Sequence, residues 1–433
     1  MKKLKYIFVL FLINIFILSA NAETITLEGA ISTGVINNPK LKAMRSKIGI
    51  NDAQIIEASK FINPSVMADT GYAEKTYRIG IEQTIELGNK RKKRIKLAKA
   101  NKEITEAQVI TALIDLRNDI RISYIEAYKA QEQLKLANEV LNTTTKLYEI
   151  ANKRELAGDI AKLDVLQAEI TMIKAKSDIQ LYKLDLGKSL NTLYSNLGQS
   201  LNEDVVLEKP FLYKDFFVNI IQKDDNENEI LIDNKKFNTD YNENLVDDLI
   251  QIAYKNRPEL TELEKSIKAQ DLSLKLAKAN NIPNLTVSLG PDIVADNGTE
   301  VGVYAIASVQ IPIFNRQQGA IKEILAQKDV YQNELEMQKI KIIEEVKNAY
   351  ASIVNTSQAI KIYEEELLPK ALQVLEKSNL SFKEGKSNIL MSLNAQEAYI
   401  STKFSYIQIL TDYENALSKL ERALGLNKEE DNL

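Results

Sequence analysis

The chain has 433 residues, no His, Cys or Trp, and a formal charge of −4. Those absences exclude Ser-His-Asp triads, cysteine nucleophiles, disulfides and zinc sites built on imidazole or thiolate. The charge balance gives no basic footprint for nucleic acid. Only 15 Gly and 8 Pro punctuate the sequence, which calls for long, uninterrupted elements.

At the N-terminus, Lys2, Lys3 and Lys5 precede an apolar run from Tyr6 to Leu18, broken only by Asn14 and followed by Ala20-Asn21-Ala22. This is the pattern of an export signal peptide over residues 1–22, cut before Glu23. Nothing after it approaches the roughly 18 consecutive apolar residues of a membrane helix. An exported chain without a transmembrane helix is expected.

Beyond the signal, the sequence is written twice. Asn38-Pro39 meets Arg257-Pro258, and Asn63-Pro64 meets Ile282-Pro283. The run Thr84 to Lys90 meets Gln310 to Arg316. Gly158 and Leu166-Gln167-Ala168 meet Gly385 and Leu393-Asn394-Ala395, and Leu197-Gly198 meets Leu424-Gly425. The first copy covers 23–201 and the second 245–426, with an acidic, Asn-rich segment at 202–244 and a tail at 427–433. Each copy reads as helix, two strands, very long helix, turn, helix.

From Asn89 to Ala157 there is neither Gly nor Pro, so a continuous helix there would be about 100 Å long. A seam of apolar or small residues runs through it: Leu113, Leu116, Ile120, Ser123, Ala127, Ala130, Leu134, Ala137, Leu141, Thr144, Tyr148 and Ala151. Such spacing packs helix on helix. The second copy repeats the rhythm from Ile343 to Ile360 and carries one breaker, Pro369, where a kink is expected.

Two stretches alternate instead. Val301, Val303, Ala305, Ala307, Val309, Ile311 and Ile313 face one way, and Tyr77, Ile79, Ile81, Ile85 and Leu87 do the same in the first copy. Each follows a weaker strand, near Ser65–Ala73 and Asn284–Val294. The lengths suit membrane strands, which need about 9–11 residues. A soluble hairpin alternates too, but two long hairpins at matching places in a duplicated exported chain favour the membrane. Four strands cannot close a barrel, and lipid tolerates no open sheet edge. Other copies of the chain must complete the sheet.

With these features the chain resembles the TolC-like outer membrane factors, most specifically in the turn segments Gly158 to Glu169 and Gly385 to Gln396. Two further runs, Glu86-Leu87-Gly88-Asn89-Lys90-Arg91 with Arg94 and Ile311 to Gly319, are similar to the heavy-metal branch typified by CzcC. The resemblance implies a mainly α protein with membrane β. It implies a homotrimer whose long helical hairpins form an α-barrel in the periplasm and whose four strands per chain build a shared 12-stranded barrel. The 202–244 segment would lie in the equatorial belt. Implied partners are outer-membrane lipid, a periplasmic adaptor and an inner-membrane pump, RND type favoured. The implied function is the exit duct of a tripartite efflux system, with metal cations as candidate cargo. A type I secretion duct and a non-channel coiled-coil envelope protein are the competing readings.

No catalytic, cofactor or resident metal site is expected. Gly385-Lys386-Ser387 imitates a Walker A ending, but Leu380 stands where its first glycine is required. The methionines are too scattered for a Cu(I) relay. Two sets of site residues remain. Gly158, Asp159, Asp164, Gly385, Met391 and Asn394 mark the helix turns, which the resemblance places at the periplasmic aperture. There Asp164 would contribute to a cation-attracting ring, or else only cap its helix. Lys90, Arg91, Arg94 and Arg316 mark the strand-to-helix junctions. They would meet lipid headgroups at the inner membrane face, or else form a solvated helix face.

Overall fold

The computed structural model describes residues 23–71, 76–200, 205–210, 221–223, 229–231, 241–295 and 298–426. The expected signal peptide, the tail at 427–433 and most of the 202–244 segment lie outside the described residues. The first copy runs β1 (Glu23–Ile25), α1 (Leu27–Asn37), α2 (Pro39–Ser59), β2 (Ser65–Gly71), β3 (Thr76–Ile85), α3 (Lys90–Leu156) and α4 (Lys162–Leu197). Short strands β4 (Val205–Leu207), β5 (Ile221–Lys223) and β6 (Glu229–Leu231) follow. The second copy runs α5 (Glu243–Asn256), α6 (Pro258–Asn280), β7 (Leu285–Val294), β8 (Glu300–Val309), α7 (Gln318–Ile362), α8 (Leu368–Lys383) and α9 (Ile389–Leu424).

Local chemistry sets these boundaries. The Asn38 side chain accepts from the N–H groups of Lys40 and Leu41, at 2.9 and 3.2 Å, and Pro39 occupies the first turn of α2. Pro258 does the same for α6. Near Pro369, where a kink is expected, the helix carries a π-helical turn at Tyr363–Leu367, just upstream of the residue that cannot donate to the ladder.

The duplication is visible in the contacts as well. Asn38 Nδ2 donates to the Asn196 carbonyl at 2.8 Å, at the end of α4. Arg257, its counterpart, donates to the carbonyls of Arg422 and Ala423 at 3.4 and 3.3 Å, at the end of α9. Arg257 is fully buried and also binds Glu259 and Glu345, at 2.9 and 2.7 Å. Arg422 joins the same group, reaching Glu345, Glu259 and, across the copies, Asp115 of α3.

Helix α3 is the spine. It packs on α2 and α4 of its own copy and on α6 and α9 of the other. Its seam residues Leu113, Leu116, Ile120, Ser123, Ala127, Ala130, Ala137, Thr144 and Ala151 are buried, while Leu134, Leu141 and Tyr148 are half-buried. One apolar core joins α1, α2, α3 and α4; a second joins α5, α7 and α9; a third lies at the far end of the long helices. Among the described residues the inter-repeat chain is tied in through β4, which pairs in parallel with β1. The Tyr124 hydroxyl fastens that ribbon to α3 by donating to the carbonyls of Ile25 and Glu208.

The four long strands form one antiparallel sheet in the order β2-β3-β7-β8, which leaves β2 and β8 as edges within the chain. Ile81 lies opposite Val66 and Leu289, and Leu289 opposite Ala305, so the alternating apolar residues share one face. Two expectations are corrected. The strands end at Ile85 and Val309, leaving Leu87, Ile311 and Ile313 outside the ladder, because Pro312 has no N–H to donate and Gly88 turns the chain. The helix that follows each strand starts from a left-handed residue, Asn89 in the first copy and Gln317 in the second, so Gln317 rather than Asn315 is the structural counterpart of Asn89.

Candidate functional site

The two helix turns are built alike. Gly158 and Gly385 take φ values of +79° and +76°, which a side chain would strain, and each lets a long helix reverse. The bond from Asp159 N–H to the Arg154 carbonyl has its twin in that from Lys386 N–H to the Ser381 carbonyl, both 2.9 Å. Asp164 then closes the first turn of α4, its carboxylate accepting from the Ala161 N–H at 3.3 Å, where the positive end of the helix favours an anion. In the second copy Asn388 supplies the cap, accepting from Met391 N–H at 3.1 Å. Met391 and Asn394 are exposed, as is Asp159, while Asp164 is half-buried.

The turns are brought together by a residue that motif reading passes over. Arg154 donates to the Phe382 carbonyl at 2.6 Å, and its guanidinium lies 4.9 Å from the centre of the Phe382 ring. It also stands 3.9 Å from the Asp159 carboxylate. Phe382 and Ile389 of the second hairpin share a buried cluster with Leu147, Ala151 and Val165 of the first. A cation in the last turn of α3 suits the helix dipole, and that position is the one trace of Arg154 in the sequence.

At the first strand-to-helix junction the named cations turn inward. Lys90 is buried and donates to Asn284 Oδ1 at 2.5 Å; burial pushes its ammonium below the ordinary lysine range, against the opposing pull of Glu86. Arg91 donates to the Ser59 carbonyl and lies 4.1 Å over the Phe61 ring. Arg94 pairs with Glu86 and reaches the Lys60 carbonyl at 3.4 Å. Positive charges at a helix start oppose its dipole, and these contacts answer that by giving each cation an acceptor or a ring. The exposed cations here are Lys92, Lys96 and Lys99, which share one face of α3, and Arg316 at the second junction.

The sheet has two chemistries. On the face carrying Ile79, Ile81, Leu289, Val301 and Val303 the side chains are apolar and exposed. The other face holds a polar lattice: Arg78 with Asp292 at 3.1 Å, Thr84 with Thr286 at 3.3 Å, and Ser288 donating to Glu82 at 3.2 Å. Apolar outside and polar inside is the arrangement of a membrane barrel wall around water. Among the described residues no helix is long and apolar enough to cross a membrane, and no cluster of three or more carboxylates is placed to hold a metal ion.

A sheet with an apolar coat and a polar lining, carried on long paired helices, defines an outer-membrane channel of the efflux class. The family model described as outer membrane efflux protein matches residues 31–199 and 249–426, and the chain belongs to that family. It is 23% identical over 415 residues to the cobalt-zinc-cadmium resistance protein CzcC of Cupriavidus metallidurans, covering 93% of this chain and 91% of that protein. Its fold is similar to a membrane protein from Pseudomonas aeruginosa, with a TM-score of 0.73 at 18% identity over 92% of each chain. It is also similar to the outer-membrane channel OprN, with a TM-score of 0.70 at 15% identity over 93% of this chain and 90% of that one. These likenesses favour neither the secretion duct nor the non-channel coiled coil.

Proposed function

We propose that this efflux channel is a homotrimer in which four strands from each protomer close a 12-stranded barrel, continued by the long helices as a periplasmic duct. One observation carries the reading: the sheet has an apolar outer face and two unpaired edges, β2 and β8, which lipid would not tolerate unless neighbouring copies pair them. The helices support it, because α4 exposes Leu163, Leu166, Ile170, Ile173, Leu181 and Leu184 along one stripe that no described part of the chain covers. In this reading the two repeats, 23–201 and 245–426, are the paired staves of the wall.

The duct receives cargo from an inner-membrane pump of RND type through a periplasmic adaptor, at the aperture formed by the turns. Gly158 and Gly385 shape that aperture; Asp159 and Asp164 make it acidic, and Met391 and Asn394 line the uncharged positions. Divalent metal cations are the cargo supported by the relation to CzcC. At the junctions Lys92, Lys96, Lys99 and Arg316 reach the headgroups, while Lys90, Arg91 and Arg94 brace the turn behind them.

Fractionation and host survival test this. The protein should stay with the outer membrane until detergent is added, and should migrate as a trimer. Deleting its gene should sensitise the host to cobalt, zinc or cadmium, and re-expression should restore tolerance. A protein washed off by salt or alkali would refute the channel. A deletion strain with unchanged metal tolerance would refute the cargo alone.

A further inference from the structure

On the lining face of the sheet, Met67, Gly80, Gly290 and Tyr304 form one row across the four strands, with Met67 paired to Gly80 and Gly290 to Tyr304. Side chains on a sheet normally stand roughly perpendicular to it. Tyr304 does not. It is the one buried residue among the ten of β8, at 8% exposure. The ring lies along the row and brings its hydroxyl over the place where Gly80 carries no side chain. A Cβ on Gly80 would overlap the Tyr304 hydroxyl and lie 2.9 Å from its Cζ and 2.7 Å from the Leu289 carbonyl oxygen; a Cβ on Gly290 would meet only the β3 backbone, overlapping the Ile79 carbonyl 2.6 Å from the Gly80 Cα, so Gly290 serves the close approach of the strands. The Arg78 guanidinium, held by Asp292, covers the ring at 5.9 Å from its centre.

This berth is not explained by the phenol's polarity. Among the described residues the Tyr304 hydroxyl has no hydrogen-bond partner, although a ring turned outward would find water. What holds it flat is shape: the missing side chain of Gly80 leaves a slot that the phenol end of the ring covers, and a paired arginine closes it.

We infer that Tyr304 sets the bore of the strand channel, and that Gly80 keeps the lumen open by letting its ring lie against the wall. The inference rests on the trimeric barrel proposed above, in which three such rings lie at one level. Filling the slot drives three phenols into the lumen.

Single-channel conductance in planar bilayers tests this with the parent, Gly80→Ala, Tyr304→Trp and the double variant Gly80→Ala/Tyr304→Ala, each first checked for detergent-stable trimer. Gly80→Ala should conduct less than the parent, because the ring is displaced. Tyr304→Trp should also conduct less, because an indole exceeds the slot. The double variant should return to the parental conductance. Parental conductance in both single variants overturns the inference, as does a double variant that conducts no more than Gly80→Ala. Should Gly80→Ala fail to assemble, Tyr304→Trp decides alone, and parental conductance from it overturns the inference. A parent that forms no channel at all removes the barrel reading, and this inference with it.

Discussion

Glu414 lies buried in α9, facing Arg121 of α3, Glu421 of its own helix and Lys209 beyond β4. Burial pushes its carboxyl up to about 8, with Glu421 adding to the rise and Arg121 and Lys209 opposing it. The folded chain therefore keeps a proton that the unfolded chain releases near pH ~4.3. The stabilisation from this group is full below that value, declines as pH rises, and is gone above about pH 8. Glu414→Gln should flatten the melting curve of the detergent-solubilised protein against pH and raise its melting temperature near pH ~9. A slope identical to the parent's would mean that the carboxyl is already ionised when folded. Asp164 poses a different question, because its carboxylate both caps α4 and carries charge at the proposed aperture. Asp164→Asn keeps the acceptor and removes the charge. Cation preference and block by multivalent cations in bilayers should both weaken, and salt should already screen part of the effect in the parent. Unchanged selectivity would leave Asp164 as a cap only.

Among the elements, the strands are the most direct to test. Ala305 and Ala307 lie exposed on the apolar face. Replacing either by Arg should cost about 2–4 kcal/mol if it meets lipid at mid-depth, measured by reversible unfolding from liposomes; near-neutral effects at both would put lipid on the opposite face. That face can be read from the sequence because a strand's period of two leaves no freedom once the alternation is seen. Where the strand stops cannot be read the same way. Ile311 and Ile313 continue the alternation, and only the missing N–H of Pro312 and the course of the backbone end the ladder. The long seam of α3 is equally plain, since its spacing is local. The fate of Lys90, Arg91 and Arg94 is not, because it depends on Asn284, the Ser59 carbonyl and Glu86 arriving from other elements. Arg154 escapes notice for the same reason: its partner, Phe382, belongs to the other repeat.

For the whole molecule, the open edges make the sharpest claim. The chain has no cysteine, so introduced pairs report cleanly. A cysteine at Val66 on β2, combined in turn with one at Val301, Val303 or Ala305 on β8, should give disulfide-linked dimers and trimers for the combination in register. Monomer alone from all three would show that β2 and β8 do not meet between protomers.

The two copies differ at the joint between α1 and α2 and its counterpart between α5 and α6. The first is fastened by the amide of Asn38, the second by Arg257 within a knot of carboxylates that also grips Arg422. Around the threefold wall proposed above there would be six such joints, alternately neutral and ionic. Arg257→Gln, which unties Glu259 and Glu345 from that knot, would slacken every second joint and leave those between them untouched. A wall fastened at six joints would then yield at three of them.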